Sequence, residues 1–143
     1  MCEAHDCPLC APVGEHVLWS DAHCRVIAVD DSDYPGFCRV ILHAHVMEMS
    51  DLPILERRHL MEVVNAVETS LRALMSPDKI NLASFGNMVP HLHWHVIPRF
   101  RDDRHFPEPV WGRPQRQPPS QTERRPDLAV LAGMIRRSIQ PST

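Results

Sequence analysis

With 143 residues the chain is long enough for one domain whose single core buries about two-thirds of the unfolded surface. Its 43% apolar and 23% charged residues are those of an ordinary soluble protein, and no apolar run approaches the roughly 18 residues needed to cross a bilayer. The formal charge of −3, with a single lysine, argues against a nucleic-acid partner, but it hides an asymmetry: residues 1–98 carry six basic and thirteen acidic groups, residues 99–143 nine arginines against five acids.

The N-terminal Met1-Cys2-Glu3-Ala4-His5-Asp6 lacks the basic and apolar regions of a secretory signal, so a cytoplasmic location is the expectation. Five cysteines, at 2, 7, 10, 24 and 38, are an odd number, and without an export signal a disulfide framework is not expected. Reduced thiols or metal ligation are the better readings. Cys7-Pro8-Leu9-Cys10 is a CxxC, weak by itself, and no helix follows at once to activate a thiol for redox exchange.

Residues 17–19 and 24–30 read as short strands joined by a turn at Ser20-Asp21. Tyr34-Pro35-Gly36 makes a turn into a third strand, 37–43. Ser50 or Asp51 is placed to cap a helix with Pro53 in its first turn, and Leu60, Val64, Val67, Leu71 and Leu74 form an apolar stripe that ends before Ser76-Pro77. Two further strands, 79–85 and 91–99, flank Gly86-Asn87. The pattern predicts an α+β fold, a five-stranded antiparallel sheet with one long helix packed on a face. Six prolines between 107 and 126 define a surface segment, and a C-terminal helical tail follows at 127–143. Residues 1–106 are then the functional domain.

The residues that carry chemistry run from His91 to Val96: His-Leu-His-Trp-His-Val. Alternation along a strand puts three imidazoles on one face, roughly 7 Å apart at about 3.3 Å per residue, and Leu92, Trp94 and Val96 on the other. Histidine titrates near neutrality and serves as base, nucleophile or metal ligand. A zinc site built on the alternating histidines is a rival to nucleophilic chemistry at this point. Arg99, Arg101 and Arg104 follow directly and are candidates to face an anionic substrate.

Residues 91–97 fit the signature of the histidine triad superfamily at every position, and the chain resembles that superfamily over roughly residues 5–100, through Pro35-Gly36, Val40-Ile41-Leu42, His45-Val46, Ser50-Asp51-Leu52, Lys79-Ile80-Asn81-Leu82 and Gly86-Asn87. The resemblance implies a nucleotide hydrolase or transferase that cleaves at an α-phosphate of a dinucleoside polyphosphate or nucleoside phosphoramidate. It implies His93 as nucleophile, held in one tautomer by main chain near His91, with His91 and His95 contacting phosphate and leaving group. Asn81 and Asn87, with Arg99, are the nucleotide-binding candidates. Zinc-containing branches further imply Cys7, Cys10, His45 and His91 as ligands of a structural zinc, and members mostly pair into homodimers. One departure stands out: Phe37 occupies a position where many members carry another histidine, which favours, as an alternative, a nucleotide-binding module with little turnover.

Overall fold

A computed structural model describes residues 4–139; Cys2 and residues 140–143 of the expected tail lie outside them. β1 (His16–Ser20), β2 (Cys24–Ala28), β3 (Cys38–Leu42), β4 (Lys79–Ala83) and β5 (His93–Arg99) form one antiparallel sheet in the order β1-β2-β3-β5-β4. The long helix α1 (Ile54–Met75) lies between β3 and β4 in sequence, and a C-terminal helix α2 (Leu128–Ser138) closes the described chain. The architecture is the one expected from periodicity.

Strand parity divides the sheet into two chemically different faces. Cys24, Val26, Cys38, Val40, Leu42, Ile80 and Val96 point to α1 and are buried against Leu60, Val63, Val64, Val67 and Leu71. The opposite face carries Arg25, Arg39, His93, His95 and Arg99, fixed by the pairings Arg25↔Ile41, Arg39↔His95 and Ile41↔His93. Ser70 lies within the helical stripe at 2% exposure, where its hydroxyl donates to the carbonyl of Ala66 at 2.8 Å and so loses nothing by burial.

Element ends differ from expectation for identifiable reasons. α1 starts at Ile54, with Pro53 just outside it and no side-chain cap; Met49–Asp51 instead forms a short 3₁₀ turn. Proline lacks the N–H an interior position would use. The helix stops at Ser76, whose φ of 49° is left-handed and whose N–H donates to the Arg72 carbonyl. β5 begins at His93 rather than 91. Ahead of it the chain leaves β4 and is tied to the segment after β3, with the Leu92 N–H donating to the Val46 carbonyl at 2.7 Å. Gly36, at φ 82°, has to lack a Cβ, which would run into the Met75 sulfur.

The expected tail is part of the body. Asp127 caps α2 by accepting from the N–H groups of Ala129 and Val130, and Leu131 and Ile135 are fully buried in the α1 core. Residues 107–126 run along the surface in turns, held to the sheet end by the Gln115 N–H on the Arg104 carbonyl and by the Arg116 guanidinium on the carbonyls of Asp103 and Phe106.

Candidate active site and metal centre

β5 presents His93 and His95 on the face turned away from α1, with ring centroids 4.9 Å apart in an edge-to-face pair. They lie closer than backbone spacing alone gives because the side chains lean together. Nδ1 of His93 lies 2.6 Å from the carbonyl oxygen of His91. A carbonyl only accepts, so Nδ1 carries the hydrogen and Nε2 keeps the lone pair. The ring lines a cavity of about 430 Å³ together with Leu9, Arg39, Phe85, Asn87, His95 and Trp111. Burial holds the His93 imidazolium below its ordinary pKa, opposed in part by the bond to His91 and aided by the charge of Arg39. For His95 burial, then His93 and Arg39, push it down to about 4. Both rings are therefore neutral at pH 7.

His91 leaves the row. It is 1% exposed, and its Nδ1 lies 3.5 Å from Cys7 Sγ, 3.3 Å from Cys10 Sγ and 3.2 Å from His45 Nδ1. Cys10 Sγ is 3.2 Å from His45 Nδ1. A tetrahedral zinc with bonds of about 2.0–2.3 Å separates its ligand atoms by roughly 3.3–3.8 Å, so the four donors fit that ion closely. Nε2 of His91 donates to the Leu42 carbonyl at 2.6 Å, which leaves Nδ1 as the coordinating nitrogen. The four residues are those expected for zinc. Only one triad histidine joins them, so the three imidazoles do not share one ion.

The expected nucleotide contacts separate. Asn87 is exposed at the cavity edge. Arg99, however, is 2% exposed with its donors already engaged: Nε and Nη2 reach Asp103 at 2.7 and 3.0 Å, Nη1 reaches Asn81 Oδ1 at 2.7 Å, and Nη2 also reaches the Glu108 carbonyl at 2.7 Å. Arg99 and Asn81 are turned to each other rather than to the cavity. Arg101 lies 3.8 Å from Asp78 with its side chain 82% exposed, and Arg104 pairs with Asp33 at 3.2 Å. The cluster of arginines after the triad thus serves the sheet end, because a count along the chain ignores which loop folds over which strand.

Arg39 and Trp111 line the cavity although neither belongs to a motif in the sequence. Arg39 interrupts an otherwise apolar strand two residues after Phe37, and strand parity alone would have put it on the histidine face. Trp111 is a lone aromatic in the proline-rich segment; its ring stands 5.0 Å from that of His95 and 4.9 Å from that of Phe85. Phe37 is buried, edge-on to His95 at 5.7 Å.

Residues 13–102, well over half of the chain, match the HIT domain family. The chain belongs to that family. Among curated relatives, this HIT protein is 26% identical over 95 residues to the bis(5'-adenosyl)-triphosphatase of Saccharomyces cerevisiae, a match covering 62% of this chain and 46% of that one. It is 30% identical over 78 residues to the AP-4-A phosphorylase of Mycobacterium tuberculosis, covering 50% and 40%. The chain spans about half the length of the curated relatives it matches. A histidine triad protein from Bradyrhizobium japonicum superposes with a TM-score of 0.69 at 28% identity, covering 88% of this chain and 91% of that one. The helix, sheet and C-terminal helix described above are thus those of HIT-fold neighbours.

Proposed function

We propose that this HIT protein is a nucleotidyl hydrolase or transferase acting at the α-phosphate of a dinucleoside polyphosphate or nucleoside phosphoramidate. The observation that carries the reading is the bond from His93 Nδ1–H to the His91 carbonyl, which leaves the Nε2 lone pair on a ring lining a cavity of ligand size. In the first step Nε2 attacks the α-phosphorus and the bond to the leaving group breaks, its electron pair departing with that group. In the second, water or another acceptor attacks the same phosphorus, the N–P bond breaks, and neutral His93 is restored. Neutral His95 lies beside the reacting centre as a polar contact, and His91 acts through its carbonyl. Cys7, Cys10, His45 and His91 would hold a structural zinc, which supplies a fixed tetrahedral junction between the N-terminal segment and the sheet. A two-fold homodimer in the cytoplasm completes the proposal; light scattering tests the first element.

A panel of diadenosine polyphosphates and adenosine phosphoramidate, with products identified by mass spectrometry, tests the chemistry. His93→Ala is expected to lose at least roughly 10³-fold in kcat on any substrate turned over. Activity that survives this change rejects the mechanism. Phe37, lodged where an imidazole would be polar, favours a second reading as a binding module; tight mononucleotide binding by calorimetry with no product from any substrate would select it.

A further inference from the structure

Three arginines share the histidine face of the sheet, and they are matched unequally. Nε and Nη2 of Arg25 bond Glu15 at 2.7 and 2.8 Å, and Nη2 also donates to the Leu9 carbonyl at 3.0 Å. Arg99 is held by Asp103, Asn81 and Glu108 as described. Arg39, on the strand between them, is half-buried and stands opposite His95 in the β3–β5 register. Its Nε is buried without a hydrogen-bond partner among the described residues, and Nδ1 of His95 is in the same condition. Both residues line the cavity that holds His93. With its Nε unbonded, the Arg39 guanidinium is less spent than those of Arg25 and Arg99, and a guanidinium that lines a cavity asks for an anion. Apart from Asn87 and the two histidines the wall is apolar or aromatic, with Leu9, Phe85, Met88, Val89 and Trp111, so Arg39 is its cationic contribution.

We propose that Arg39 binds the oxyanion of the leaving group, so that the substrates of this site release a phosphate-terminated fragment rather than an amine. The inference rests on the nucleotidyl-transfer reading of His93 and deepens it. When the P–O bond breaks, its electron pair stays on the departing oxygen, and a fixed positive charge stabilises that oxygen without any proton transfer. An amine leaving group takes the pair on nitrogen and needs a proton there. A guanidinium does not release its proton in proteins, so Arg39 gives such a group little help.

The experiment compares two substrates with the same adenylyl half: diadenosine triphosphate, which releases ADP, and adenosine 5'-phosphoramidate, which releases ammonia. Arg39→Leu is expected to lose about 10²-fold in kcat/KM on the first and under about threefold on the second, the loss typical of one transition-state donor. Arg39→Lys, which keeps the charge, should recover about tenfold on the first substrate alone. Equal losses on both substrates, or no loss on either, overturn the proposal; melting curves of both variants separate a folding defect from a charge effect. His93→Ala abolishes turnover of both substrates if the underlying reading holds. Should the wild type turn over neither, that reading fails, and calorimetry with AMP and ADP decides Arg39 separately. A preference for ADP of at least about tenfold that disappears in Arg39→Leu supports it; a preference absent in the wild type, or unchanged in the variant, sinks it.

Discussion

Arg99 and Arg39 stand on one face of one sheet and have opposite surroundings. At the Arg99 end a loop folds back so that Asp103 accepts two guanidinium bonds as well as the N–H groups of Phe100, His105 and Phe106. At the Arg39 end the chain leaves a cavity, and the guanidinium stands 5.8 Å from the ring of Phe37. The difference teaches that a buried charge is read by whether its donors are spent. A satisfied arginine braces the fold; an unsatisfied one is available to a ligand.

The largest effect should follow from breaking the satisfied end. Burial alone would raise the Asp103 carboxyl, yet Arg99 and the Phe106 N–H hold it below its usual range, so the ionised form is stabilised by the fold. Asp103→Ala strands a guanidinium at 2% exposure and removes the acceptor of three backbone N–H groups. We expect a loss of about 3–5 kcal/mol in urea denaturation, against about 1 kcal/mol or less for Arg39→Leu. Equal losses would erase the distinction between the two ends.

A third buried cluster sharpens the comparison, since Cys7, Cys10, His45 and His91 converge as donors and need a cation where Arg39 needs an anion. Protein purified without chelator should carry about one zinc per chain, and removal by chelator should lower stability by about 3 kcal/mol, followed by thermal melting with and without restored metal. Chelation that moves neither the metal content nor the melting curve would make the cluster a set of ordinary thiols and imidazoles.

The fold was legible because its signals are local. The 4-3-4-3 stripe marked α1, alternation marked β5, and Tyr34-Pro35-Gly36 marked the turn before β3. Site residues were legible as far as they belong to a single strand, as His93 and His95 do. What required three dimensions was the trajectory of long connections: the loop through Asp103 that claims Arg99, and the proline-rich segment that returns Trp111 to His95. Arg39 is the exception. Its parity is available in the sequence, but parity alone does not separate it from Arg25 on the same face; the cavity that does is built by Leu9, Phe85 and Trp111 from distant segments.

A smaller effect separates the two ends by pH. His95 titrates at about 4 when folded, against about 6.5 when unfolded, so between those values the unfolded chain holds more protons and stability rises with pH. The contribution is complete above pH 6.5 and fades on acidification, with roughly 2 kcal/mol lost by pH 5. Urea midpoints at pH 7 and pH 5 should therefore converge more closely in His95→Asn than in the wild type. An identical acid sensitivity in the two proteins would mean that His95 is not desolvated as its 6% exposure indicates.

The least effect is expected at the mouth of the cavity, where Trp111 is 54% exposed yet packs edge-on to His95. Removing it exposes one side of that imidazole without touching Arg39 or the bond that orients His93. Trp111→Ala should therefore leave stability within about 1 kcal/mol of the wild type, as for an exposed side chain. The pKa of His95 should nevertheless rise toward its ordinary value, because desolvation is the leading cause of its depression. A histidine titration by NMR measures that rise, and the same variant should raise KM by about three- to tenfold with kcat little changed if the ring contributes only apolar contact to bound substrate. A rise in neither quantity would place Trp111 outside the working site. A fall in kcat matching that of Arg39→Leu would mean that the aromatic mouth and the cation act as one unit rather than as two.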